Sequence, residues 1–245
     1  EITTRLVGSE MCIRDSSKYI LKIILKYDII TLIENHSQNQ GGIMPTEVIS
    51  YYLKNEDRLV RLGFQVALQC APVLKGIKIS CLISMDARLR PGLPEILMGT
   101  DVKYHCLSCS QGKCLVLFYR PDELEQYLKK ADVSQLAQEY GYKKEPAEKM
   151  LERLSQRVKD FSEKGMGFPH EIGMFLGYPV ADIRGFIENE GRKYLMIGYW
   201  KVYSNLSQAR MIFKEYDRAK ECAVQEYLTG KSIREISMKK KDGGR

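Results

Sequence analysis

The side chains able to do chemistry in this chain crowd into one stretch, Phe168 to Tyr203, which reads FPHEIGMFLGYPVADIRGFIENEGRKYLMIGYWKVY. It holds one of the three histidines and the only tryptophan. His170 and Glu171 offer an imidazole and a carboxylate side by side. Tyr178 and Trp200 supply flat rings with polar tips, and Lys201 sits between Tyr199 and Tyr203. Cys70 adds a thiol from far upstream. A histidine in the first turn of a helix meets the partial positive charge of the helix end, which disfavours the imidazolium. The resulting neutral imidazole is what a metal ligand or an electrophilic catalyst needs. Each residue also has a plainer role: His170 as a hydrogen-bonded structural histidine, Glu171 as a carboxylate satisfying the helix dipole, Lys201 as a lysine snorkelling past aromatic rings, Cys70 as a small buried hydrophobe.

The elements that position these groups follow from local signals. Pro169 suits the first turn of a helix running to Leu176 and ended by Gly177. Pro179 starts a second helix, to Asn189, which stops at Gly191. Gly173, Gly177 and Gly185 allow this pair a close approach to each other, to the sheet or to a flat ligand. Lys193 to Tyr203 alternates as a strand, with Met196, Gly198, Trp200 and Val202 on one face and Leu195, Ile197, Tyr199, Lys201 and Tyr203 on the other. Neighbours on a helix diverge by about 100°. His170 is therefore expected to face a cleft beside the Trp200 strand while Glu171 caps the helix or meets solvent. Lys201 should open on the sheet face opposite Trp200.

The rest of the chain reads as α+β: a small, mostly antiparallel sheet from 77–84, 102–109, 114–119 and 194–203, covered by helices. Helices are expected from Pro45 to Tyr52, from near Asn55 until Pro72 stops it, from Pro121, from a capping box at Asp132 and Gln135 to Tyr140-Gly141, and from Pro146. A long helix capped by Asn205 and Gln208 runs to Gly230, and a short one follows. Pro91 and Pro94 argue against a long helix over 86–98. The strands 102–109 and 114–119 pair as a hairpin through Ser110-Gln-Gly-Lys113.

Residues 6–16, LVGSEMCIRDS, match the translation of a transposase adapter used in sequencing libraries, so residues 1–16, Cys12 among them, are set aside from fold reasoning. Residues 17–43 are rich in Ile, Lys, Tyr and Asn, and Gln40 to Met44 could be encoded by a ribosome-binding site followed by a start codon. The expected start is therefore Met44, although Ile20, Ile23, Ile24 and Tyr27 also recur at the spacing of an amphipathic leader. That places a single domain over 44–238 and a basic, disordered tail over 239–245. The net charge is +7, but the tail sets four basic residues against Asp242. The remainder is too weakly basic to argue for nucleic acid. No apolar run approaches membrane-span length, and scattered cysteines read as cytoplasmic thiols rather than a secreted framework.

Other constellations fail on geometry. Cys106-x-x-Cys109, with Cys114 nearby, invites a metal reading, but a spacing of three on a regular strand puts the two thiols on opposite faces, so no metal is expected. Thr229-Gly-Lys-Ser232 has Gln225 where a phosphate loop needs its leading glycine. Gly165-x-Gly167 lacks the third glycine of a dinucleotide fingerprint. Met174 stands where a zincin needs its second histidine.

Phe168-Pro-His-Glu-Ile-Gly, Phe175-Leu-Gly-Tyr-Pro, Gly185-Phe-Ile and Gly198-x-Trp-Lys-Val-Tyr are similar to motifs of the bacterial family called domain of unknown function 3793. Cys70-Ala-Pro-Val-Leu-Lys-Gly-Ile-Lys78 resembles its opening motif, and Cys222 falls where its long helix ends. The resemblance spans about residues 60–236 and implies a start near Met44, but no established activity. Three function classes follow for the 168–203 region. The first is a cytoplasmic binding module for a small ligand, cofactor or metal. The second is an enzyme using His170 as acid–base or ligand, with Glu171 and Lys201 assisting. The third is a regulatory protein that docks another chain.

Overall fold

The computed structural model describes residues 46–238, so the adapter-like run, the leader, Met44 and the basic tail lie outside the described residues. After α1 (Thr46–Leu53), Asp57 accepts hydrogen bonds from the N–H groups of Leu59 and Val60 and starts α2 (Arg58–Gln69). Pro72 does not end the helical run outright. Cys70 closes α2, and Pro72 then sits at the start of one further turn, α3 (Ala71–Leu74), where its missing N–H costs nothing. Strand β1 (Ser80–Asp86) leads into a 3-10 turn (Ala87–Gly92) and the short α4 (Leu93–Ile96), kept brief by Pro91 and Pro94. Strands β2 (Lys103–Ser110) and β3 (Lys113–Tyr119) are joined by Gln111 and Gly112, both at positive φ, as a two-residue hairpin demands.

Helices then dominate: α5 (Pro121–Leu128), α6 (Ala131–Glu139), α7 (Ala147–Lys164), α8 (Ile172–Phe175) and α9 (Val180–Glu188). The expected capping box at Asp132 is not formed; Lys130 is the N-cap residue and Asp132 lies in the first turn of α6, favourable to the helix dipole. Two two-residue strands, β4 (Met196–Ile197) and β5 (Lys201–Val202), precede α10 (Leu206–Leu228) and α11 (Ile233–Ser237). Asn205 caps α10 through the N–H of Gln208, as expected. Ser232 and Glu235 cap α11 reciprocally.

The main sheet is antiparallel in the order β1-β3-β2. The central strand, KCLVLFY, is buried from Cys114 onward and apolar on both faces, so it needs cover on both sides. Cys81, Ile83, Met85, Val116 and Phe118 pack on α2, α3, α10 and α11; Leu107, Leu115, Leu117 and Tyr119 pack on the layer formed by α5 to α9. The α+β class holds, as three layers with the sheet in the middle.

The region 194–203 departs from expectation. It is not a fourth strand of this sheet but a separate hairpin, β4 pairing with β5, turning through Gly198, Tyr199 and Trp200. A two-stranded ribbon this short is not stable alone. It is fastened from two sides. Trp200, Val202, Ala209, Phe213 and Tyr216 form a cluster against α10. The buried carboxylate of Asp182, near the start of α9, accepts from Trp200 Nε1 at 2.7 Å, from the Tyr203 and Ser204 N–H groups at 2.8 Å each, and from Ser204 Oγ at 2.7 Å. Asp182→Ala strands these donors in a largely buried setting, at roughly 1–3 kcal/mol for each one left unsatisfied. Denaturant unfolding of this variant is expected to show a loss of about 2–4 kcal/mol, with red-shifted Trp200 emission, because water repairs part of the damage. A loss within about 0.5 kcal/mol, the range of an ordinary surface change, would remove Asp182 from this role.

Candidate functional site

Where the hairpin, α8, α9, α10 and the segment before β1 meet, they enclose a cavity of about 170 Å³. Its wall includes Phe168, His170, Gly173, Tyr178, Asp182, Phe186, Gly198, Tyr199, Trp200 and Lys201 from the stretch expected to carry the site, with Lys78, Cys81 and Lys220 from outside it. Tyr178 stacks on Trp200 with ring centroids 5.3 Å apart, and its hydroxyl donates to the Tyr199 carbonyl. Gly198 is required here: a Cβ on it would lie 2.2 Å from the Phe213 ring. The same holds for Gly185, whose added Cβ would lie 2.6 Å from that of Tyr203.

Of the residues singled out from sequence, His170, Tyr178, Trp200 and Lys201 line the cavity together. Lys201 and Trp200 share it because the chain turns between the strands; the alternation that set them on opposite faces does not apply. Lys201 Nζ donates to the Gly191 carbonyl at 2.6 Å and lies over the rings of Tyr194 and Phe186. His170 precedes α8 rather than occupying its first turn, so the helix end is not what tunes it. Burial, and then the Arg157 charge, push its pKa down. It packs edge-on to Phe168 at 5.2 Å and tilted to Phe186 at 5.8 Å, and neither ring nitrogen has a hydrogen-bond partner among the described residues.

Three of the expected residues stand apart. Glu171 stands at the N-cap of α8, but its side chain neither makes a capping bond nor meets solvent: it is fully buried, paired with Arg157 and hydrogen-bonded by the Tyr142 hydroxyl at 3.3 Å. Tyr203 packs against Gly185 and Phe186, outside the cavity wall, and its buried hydroxyl has no hydrogen-bond partner among the described residues. Cys70 lies behind Cys81, their sulfurs 2.9 Å apart. Burial first, and then its hydrogen bond with Cys81, push its pKa up, which keeps it an inert thiol.

Lys78 and Lys220 escaped the sequence reading. The Lys78 ammonium lies 5.4 Å from the centroid of Tyr178 and 5.7 Å from that of Tyr216; that of Lys220 lies 4.4 Å from Tyr199. Neither has a carboxylate within ion-pair distance among the described residues. Burial pushes the pKa of Lys78 down, and that of Lys220 down to about 8, where neighbouring Lys78 adds to the effect and Asp217 opposes it. The legible signal was a lysine four residues after Tyr216, beside the apolar stripe of α10.

A second cluster contradicts the strand-parity argument. β2 carries a bulge between Cys106 and Ser108, so the side chains of Cys106 and Cys109 return to one side, their sulfurs 3.4 Å apart. Cys109 faces Cys114 across the hairpin, and the two are joined in a disulfide rather than remaining the thiols expected of scattered cysteines. The ligand atoms of all three lie within 4.8 Å of one another.

Among the described residues, no helix is long and apolar enough to cross a membrane. No curated protein and no solved structure matches the chain. Residues 66–237 match the family described as Protein of unknown function (DUF3793). That match takes in every wall of the cavity and covers well over half the chain, which therefore belongs to this family.

Proposed function

We propose that this protein is a binding module for a small, flat, anionic molecule held between Trp200, Tyr178 and the two lysines. The observation that carries the reading is the placing of Lys78 and Lys220 on one aromatic-walled cavity, with no carboxylate of the described residues within ion-pair distance of either. Two cations in a desolvated wall repel each other and lose hydration, so an anion entering between them recovers energy that water recovers less well. Asp182, the acidic residue of the wall, has its oxygens engaged by Trp200, Tyr203 and Ser204. A cavity of about 170 Å³ is close to the roughly 150 Å³ that takes up benzene. One ring bearing one or two acidic groups is therefore the size supported. A second reading, an enzyme using His170 as acid–base, is favoured by an imidazole held neutral on the same wall with both nitrogens open to a ligand.

Trp200 is the only tryptophan in the chain, so tryptophan emission, selectively excited apart from the tyrosines, reports on this cavity. Benzoate and benzene-1,3-dicarboxylate are expected to change that emission saturably, and uncharged benzamide to bind at least tenfold more weakly. Hydrogen bonds to charged groups contribute about 1.5–3 kcal/mol, so Lys78→Met and Lys220→Met should each weaken benzoate by about tenfold or more. Equal affinity for benzamide and benzoate, or an emission that no probe moves, would refute the anion reading.

The pH dependence has a definite sign. Lys220 is an ammonium below its pKa of about 8 and a neutral amine above it. Benzoate affinity should therefore be greatest below pH 8 and fall as the pH rises through that value. In Lys220→Met this falling limb should vanish while the weaker binding persists. A wild-type affinity flat from pH 7 to 9.5 would exclude Lys220 as the titrating partner.

A further inference from the structure

The turn end of the β2–β3 hairpin holds the other concentration of reactive groups, outside the cavity wall. Three features coincide there. The bulge at Leu107 brings Cys106 and Cys109 to one side of the strand, and the hairpin register sets Cys114 directly opposite Cys109. Leu107 itself is fully buried, which pins the bulge in the core and fixes the sulfurs' approach. Arg90 Nη1 lies 3.9 Å from Cys109 Sγ, and a cation there favours the thiolate, the form that binds metal.

We infer that Cys106, Cys109 and Cys114 form a redox-gated site for a thiophilic cation such as Zn²⁺, closed while the Cys109–Cys114 disulfide stands and created when it is reduced. The chemistry balances in two steps. A small dithiol gives two electrons and two protons to the disulfide, the S–S bond breaks to two thiols, and the reductant leaves as its own cyclic disulfide. The cation then displaces one proton from each of three thiols as three metal–sulfur bonds form. Zn–S bonds of about 2.3 Å in a tetrahedron set sulfurs roughly 3.8 Å apart. Cys106 and Cys109 are already at 3.4 Å, so reduction need only let Cys109 and Cys114 part from bonding distance. Donors that are all sulfur select soft cations over magnesium or calcium. Because Cys109 is exposed and Cys114 buried, the fourth position opens toward solvent, where water or a further ligand completes the shell. Metal and disulfide exclude each other, since both need the same two sulfurs.

Full-length protein, either oxidised or reduced with a phosphine that is then removed anaerobically, is titrated with Zn²⁺ against a chromophoric chelator. The reduced protein is expected to take up one equivalent more than the oxidised. Cys106→Ser and Cys109→Ala, each checked for an unchanged circular dichroism spectrum, should lose that equivalent on reduction. Cys222→Ser, which removes an exposed thiol outside the cluster, should keep it. Cobalt in place of zinc should give a thiolate-to-cobalt charge-transfer band in reduced wild type and not in Cys106→Ser. Identical uptake by oxidised and reduced protein, or an extra equivalent surviving in both cluster variants, would overturn the assignment.

Discussion

Everything about the cavity depends on one buried carboxylate. Asp182 is 3% exposed and spends both oxygens on groups from the hairpin and the turn after it. Strands of two residues have too few ladder bonds to define a position. The Asp182 bonds join the start of α9 to the indole of Trp200 and to the backbone leading into α10, converting a floppy ribbon into a wall. Gly185 and Gly198 allow the fit by leaving room for Tyr203 and Phe213. The glycines of the central stretch thus serve helix–hairpin and hairpin–helix contact more directly than they serve a ligand.

Much of the scaffold was legible in the sequence, and the reasons for the failures are physical. β1, β2 and β3 announce themselves because a sheet covered by helices on both faces requires runs such as ISCLIS and CLVLFY. Proline and glycine mark α5, α7 and α9 through geometry that few other residues share. Residues 194–203 misled because period-two alternation reads the same through one long strand or a tight hairpin. The turn at Gly198-Tyr199 lay inside the pattern rather than beside it. The cysteine cluster was weighed and set aside for a related reason. A bulge reverses side-chain parity after a single extra residue, and nothing local distinguishes Leu107 from an ordinary strand leucine.

The site's composition was half legible. Aromatic rings, histidine and Lys201 stand in one contiguous segment, so contiguity found them. Glu171 looked equivalent to His170, yet one residue of separation turns it away from the cavity, to where Arg157 and Tyr142 satisfy it. Desolvation first, and then the Glu171 charge, push the Tyr142 pKa up and hold its hydroxyl protonated. Lys78 stands well upstream of that segment and Lys220 beyond its end, in α10, so only the tertiary fold brings the two together.

Those two lysines also weigh against a purely architectural role for the cavity. Holding them against aromatic faces returns about 0.5–2 kcal/mol for each cation–π contact. Desolvation works against each ammonium, which is why both pKa values are displaced downward. Methionine or leucine at either position would fill the same volume without the penalty, since apolar replacements of buried charges are often neutral or stabilising. A fold selected for packing alone has no use for this arrangement. Binding of the proposed anion would account for the penalty, because a shared counter-ion relieves the desolvation of each ammonium and the repulsion between them together.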